Sequence, residues 1–150
     1  MGIKALYNKK DLEKSLDKQA ESLKNNVTNT FFEAGKKAVD LAVSDGNYIN
    51  RTGVLRSSIG CGISFGGVIL KTYGFNLILS GGEKGASEGK RLLLEKLKTN
   101  VTTQSIKLVV VAGADYASFV EDSSRFSVLP KSADLLSQVY QEIVSSLKIK

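Results

Sequence analysis

The chain has 150 residues, of which 42% are hydrophobic and 24% charged, with a formal net charge of +6; such totals suit one soluble globular domain that folds without disulfides or metal. It has no histidine and a single cysteine, Cys61, which excludes a Ser-His-Asp or Cys-His triad and an intramolecular disulfide, and leaves a zinc ion only Cys61 and carboxylates. No apolar run nears the roughly 18 residues of a membrane helix, and Met1 to Lys10 lacks the apolar core of a secretory signal, so the expectation is a non-membrane protein of a reducing compartment, not an enzyme, with no cofactor and no bound metal.

Residues from about 9 to 44 read as one long helix. Leu12, Leu16, Ala20, Leu23, Val27, Phe31, Ala34, Ala38 and Leu41 recur every three or four positions, the stripe of an amphipathic helix. Glu13, Asp17 and Glu21 repeat at four-residue spacing, a mildly unfavourable row of like charges. Asn25, Asn26, Thr28, Asn29 and Thr30 are poor helix formers and mark a place for a kink. Asp45-Gly46-Asn47 supplies a stop, glycine being suited to the left-handed cap. Asn50 to Ile59 reads as a loop leading into one short helical turn. From Ile59 the composition turns β-branched and aromatic. Ile63, Phe65, Val68, Ile69, Leu70 and Tyr73 predict one or two strands with Gly66-Gly67 as a turn or bulge. Phe75 to Leu79 reads as a further strand after a turn at Gly74.

Residues 80 to 90 are rich in glycine and read as a loop. A short helix is predicted over about 88 to 99, with Leu93, Leu94 and Leu97 on its buried side. Ile106 to Ala112 is a nearly continuous apolar run, expected to be a central strand. Asp115 can cap a short helix carrying Tyr116, Ala117, Phe119 and Val120. Residues 122 to 132 read as a loop with the only proline, Pro130. A second amphipathic helix over about 132 to 148 carries Leu135, Leu136, Val139, Tyr140, Ile143, Val144 and Leu147. The order predicts one α+β domain spanning 1–150, its long N-terminal and C-terminal helices packed on one face of a mainly antiparallel sheet.

The positive charge is concentrated mid-chain. Residues 46 to 100 hold eight Lys/Arg against three Asp/Glu. Lys84, Lys90, Arg91, Lys96 and Lys98 could touch phosphate weakly, although they lack interleaved aromatics and equally suit a solvated helix face. The glycine-rich run fails the phosphate-loop pattern. Gly89-Lys90 is present, but position 84 is lysine and position 91 is arginine, so no hydroxyl is placed for magnesium. Cys61 lies between two glycines with no histidine to activate it, and reads as a small buried hydrophobe.

Two short stretches stand apart from generic core: Arg51-Thr52-Gly53-x-Leu55-Arg56-x-Ser58-Ile59 and Tyr116-Ala117-Ser118-Phe119-Val120-Glu121. In this order and element context the pair resembles the tail-component, tail-completion or head–tail connector family of long-tailed double-stranded DNA phages. The resemblance covers about residues 30 to 148. Where family members usually carry Gly-Thr after the second motif, this chain has Asp122-Ser123-Ser124, and residues 80–100 read as an insertion. The resemblance implies a virion protein made in the bacterial host cytoplasm. It would form a homo-oligomeric ring at the head–tail joint or tail terminus, around the DNA channel, beside other phage neck or tail proteins. The alternative kept open is a small basic DNA-binding or DNA-processing accessory protein, for which any DNA contact would be non-specific.

The motif residues also have readings of their own. Thr52 can cap the turn that follows, and Gly53 can approach another backbone closely. Leu55 and Ile59 can bury one side of the turn. Arg56 is left to reach a carboxylate, either Glu121 or one on a neighbouring subunit. Tyr116, Phe119 and Val120 would form an apolar patch. Both motifs are thus candidates for a subunit interface or for fixing the fold.

Overall fold

Strand β1 (Ile59–Phe65) lies at the centre of a three-stranded antiparallel sheet, between β2 (Val68–Gly74) and β3 (Ile106–Ala112). The computed structural model describes residues 8–44, 51–115, 117 and 128–147. Successive residues of a strand face opposite sides, and β1 uses the alternation unequally. Ile59, Cys61 and Ile63 are wholly buried on one side, in a cluster with Phe32, Val39, Ala42 and Leu55. The other side carries Gly60, Gly62 and Ser64, where there is almost no side chain.

The first side is covered by α1 (Lys9–Ser44), and α4 (Pro130–Leu147) packs along α1. The Phe31 and Tyr140 rings stand 6.5 Å apart between the two helices. A Cβ on Gly35 would fall 2.9 Å from Leu108 Cδ1 and 3.1 Å from Cys61 Sγ, so α1 meets the sheet closely there. The second side is covered by α3 (Gly82–Lys98), whose Ala86, Leu93 and Leu97 join Phe75 and Val111. A Cβ on Gly62 would lie 2.9 Å from Leu97, and one on Gly60 would lie 2.3 Å from the Phe75 ring. The bare side of β1 is therefore the seat of α3. The Lys107 ammonium donates to the carbonyls of Lys96 and Thr99, closing the C-terminal end of α3 in the way a cation suits that end of a helix.

This is the expected α+β fold, with the long first helix and the last helix on one side, and with α3 adding a third layer on the other. Several local expectations are corrected. The glycine-rich run is helical from Gly82, not a loop. Its glycines are contact points: a Cβ would fall 2.0 Å from Val54 O at Gly85 and 2.3 Å from Ser58 O at Gly89. Leu94 is exposed, because it is rotated about 100° from Leu93 on the helix. Among the described residues, strand β3 is an edge strand and not a central one. Its apolar run reflects cover on both faces, by α1 and α3, and says nothing of its two edges. Residues 75–78 form no strand, since Phe75 (φ 60°) and Leu79 (φ 60°) leave the extended region. Pro130 opens α4, a position where its missing N–H costs nothing. The expected stop at Asp45-Gly46-Asn47 lies outside the described residues.

Helix α1 runs unbroken through its weak middle, where Thr30 Oγ1 donates back to Asn26 O at 2.9 Å. Its 36 residues make a rod about 54 Å long, and its expected apolar stripe is covered only from Val27 onward. Lys24 Nζ sits 4.7 Å over the Phe65 ring, level with the β1–β2 hairpin tip. The turn there is Gly66-Gly67, both with positive φ (54° and 84°), the pattern of a two-residue hairpin. Residues 8–23 project beyond that tip, and every one is exposed.

The glycine contacts of α3 reverse the usual sign of a helix substitution. Glycine to alanine inside a helix ordinarily stabilises by about 1 kcal/mol. Gly85→Ala and Gly89→Ala should instead destabilise by about 1–3 kcal/mol, through overpacking against a backbone carbonyl. Ser87→Ala, on the exposed side of the same helix, should stay within about 0.5 kcal/mol. Urea denaturation of the three variants checks this, and a gain at Gly85 or Gly89 would place the run outside the packed structure.

Candidate functional site

The first motif is built around α2 (Val54–Ser57), one helical turn between the end of α1 and the start of β1. Gly53 is its N-cap, with φ 80°, and no side chain caps the turn. Thr52 therefore does not play the expected capping role. Its backbone carbonyl instead accepts the Gly81 N–H at 2.8 Å. Gly53 is required for a steric reason: a Cβ there would lie 1.6 Å from Ile78 O, in a backbone region that favours glycine in any case. Leu55 is buried in the main cluster beside Ile59.

Two serines complete the motif. Ser57 Oγ accepts the Ile78 N–H at 2.8 Å. Ser58 Oγ accepts the Ala114 N–H at 3.0 Å and donates to Leu55 O at 2.7 Å. Ser58 O accepts the Gly113 N–H at 3.1 Å. Both side chains are completely buried. The motif thus holds two distant pieces of chain: residues 78–81 on one side, and 113–114 on the other, directly before the second motif. Sequence reasoning included Ser58 in the motif but gave neither serine a role. The available signal was a pair of small hydroxyls between a helical turn and a strand, where the backbone groups of crossing loops need partners.

Arg51 is exposed, while Arg56 is half-buried and lines a cleft of about 100 Å³ with Asp40, Val43 and Asn76. Tyr116, Phe119 and Glu121 lie outside the described residues, and so does the suggested Arg56–Glu121 pairing. What the motif presents outward is the loop that it holds: Leu77 is 66% exposed and Leu79 is 62% exposed. Lys84, Lys90, Arg91, Lys96 and Lys98 are all exposed on α3. Lys84, Arg91 and Lys98, seven residues apart, share the side opposite Leu93 and Leu97. The other two fall on the flanks, so the structure brings three of the five into a row.

Burial pushes the Cys61 thiol up to about 12, with Asp40 adding to the effect; a thiol held so far above neutrality stays protonated and inert. The Tyr73 hydroxyl donates to Asp40 Oδ1 at 2.9 Å, and that bond raises the Tyr73 pKa. Among the described residues no three His, Cys, Asp or Glu side chains form a metal-binding group, and no helix is long and apolar enough to cross a membrane. The two serine hydroxyls and the Thr52 carbonyl are engaged with backbone, so this part of the motif organises chain crossings.

A family model described as "Bacteriophage HK97-gp10, putative tail-component" matches residues 10–122. The chain belongs to this family. The match runs from α1 through β3 and takes in both motifs. A phage tail component works with other phage proteins, and its place is the virion. No curated protein and no solved structure matches the chain.

The serine bonds are open to direct test. Removing a buried acceptor leaves its N–H donor unsatisfied, at a cost of about 1–3 kcal/mol. Ser57→Ala and Ser58→Ala should each lower the unfolding free energy by that amount in a denaturant titration. Unchanged stability in both would mean that the motif does not hold these crossings.

Proposed function

We propose that the chain is a structural subunit of the head–tail joint or tail terminus. It assembles as a ring of identical copies around the DNA channel and catalyses no reaction. It is made in the bacterial host cytoplasm and is carried in the virion. The family match over residues 10–122 carries this reading. The motif geometry supports it, because Thr52, Gly53, Leu55, Ser57 and Ser58 are occupied with holding the fold, while Arg51, Leu77 and Leu79 face outward. A chain without histidine, whose one thiol is buried, has little with which to run acid–base or nucleophilic chemistry. A ring requires two different patches of each subunit to meet, and the exposed leucines beside Arg51 form one candidate patch.

The row Lys84, Arg91 and Lys98 favours a second reading, a DNA-binding accessory protein. Three such cations give only phosphate contact, with log affinity falling by about 0.9 per contacted phosphate per decade of salt. Within the ring reading the same row is a weak, sequence-blind contact to DNA or to an acidic neighbour.

The test combines electron microscopy, duplex-DNA titration and complementation. The purified chain should form rings at high concentration or with its neck partners, and bind DNA weakly with loss at modest salt. Leu77→Asp, at an exposed position, should keep the monomer's stability within about 0.5 kcal/mol and still fail to complete tails. Normal tail assembly by Leu77→Asp would remove this patch from the interface. Tight, sequence-selective DNA binding at physiological salt, with no rings, would favour the second reading.

A further inference from the structure

The first part of α1 is held by almost nothing outside itself. Residues 8–23 are exposed throughout, and the first buried residue of the helix is Thr28. Leu12, Leu16 and Leu23 are 54%, 56% and 51% exposed, so they anchor nothing within the chain. Among the described residues no hydrogen bond or ion pair joins this segment to another element. The first tie to the body is the Lys24 ammonium, 4.7 Å over the Phe65 ring. From Thr28 onward the helix is docked, with Phe32, Gly35, Ala38, Val39 and Ala42 all buried.

A segment so placed depends on its own balance of helix and coil. The docked part of α1 supplies a nucleus, so the costly first turn need not form again. Beyond it, each residue multiplies the helical weight by only about 1–1.6 near 0 °C, and by less when warm. The terms particular to this sequence nearly cancel. Asn8 Oδ1 accepts the Lys10 N–H at 3.2 Å, and Asp11 stands in the first turn, where a carboxylate suits the helix dipole. Lys10–Glu13, Asp11–Lys14, Lys14–Asp17 and Lys18–Glu21 are favourable at three-residue spacing, while the rows Lys10–Lys14–Lys18 and Glu13–Asp17–Glu21 are unfavourable at four. Asn25, Asn26, Thr28, Asn29 and Thr30, all poor helix formers, lie at the join with the docked part. The helix is therefore weakest where order has to pass from the body into the projecting segment.

We propose that residues 8–23 are a conformational arm. In the free subunit the arm exchanges between helix and coil about the Asn25–Thr30 join, and in the assembled virion it is fixed as helix. Such an arm keeps its reach until assembly and gives up its freedom only at that step. The fixing step rests on the tail reading; the exchange in the free chain does not.

Hydrogen exchange of the full-length chain, read by mass spectrometry on overlapping fragments, tests both states. In the monomer the amides of residues 13–23 should exchange within severalfold of the rate of an unstructured peptide, far ahead of those of residues 32–42. Asn25→Ala with Asn26→Ala, at two exposed positions, should slow exchange in the arm severalfold and leave residues 32–42 unchanged, since both substitutions strengthen the join. Labelled within completed tails, the same arm amides should be strongly protected. An arm as slow as residues 32–42 in the monomer would overturn the proposal. So would an arm that the two alanines leave unchanged, or one equally fast in monomer and completed tails. Completed tails holding no copy of the chain would overturn the tail reading and the fixing step with it, and the monomer result would still decide the exchange.

Discussion

Backbone meeting backbone, without a side chain between, is the constraint on which this structure depends. Helix α3 lies on α2 and β1 at Gly85 and Gly89, where a single methyl group would strike the carbonyls of Val54 and Ser58. Glycine inside a helix is costly, because it gives up more conformational freedom than alanine. The offset is the burial of Leu93 and Leu97 against the bare side of β1, since each fully buried leucine contributes about 1.5–3 kcal/mol. With α3 so placed, the chain on either side of it passes within hydrogen-bonding reach of Ser57 and Ser58.

From this follows the character of the first motif. Its residues combine positive-φ backbone at Gly53, two buried hydroxyls and a buried leucine. None of these is left over to act on a substrate. They fix where the 75–81 loop emerges, and with it the exposed Leu77 and Leu79. The division of labour suits an assembly protein: an inner set of residues that must match the fold, and an outer set that can vary with the neighbour. The second motif begins two residues after Ala114, whose N–H is held by Ser58, so one serine ties the segment before the second motif to the first.

Much of the architecture was legible because periodicity reports burial directly. The 3.6-residue stripes placed α1 and α4 to within a few residues, and the Gly66-Gly67 pair between apolar runs marked the hairpin. The failures have physical causes. An apolar run tells of covered faces and not of paired edges, which is why β3 was expected at the centre of the sheet. Glycines read as loop formers could not be told from glycines that admit a neighbouring backbone, because that distinction lies in the partner. The stripe of α1 gave no hint that residues 8–23 are left exposed. At the site, Gly53 was legible from its chemistry. Thr52 was not, because its carbonyl acts and its hydroxyl does not cap. Ser57 and Ser58 are defined by residues more than twenty and more than fifty positions away, beyond the reach of any local pattern.

A reconstruction of the intact neck and tail end by electron cryomicroscopy tests the central claim most directly. A closed ring of identical copies of this chain, encircling the DNA channel with successive subunits related by one rotation, is the result the account predicts. Particles with a fully resolved neck and tail terminus, and no copy of this chain in either, would contradict it.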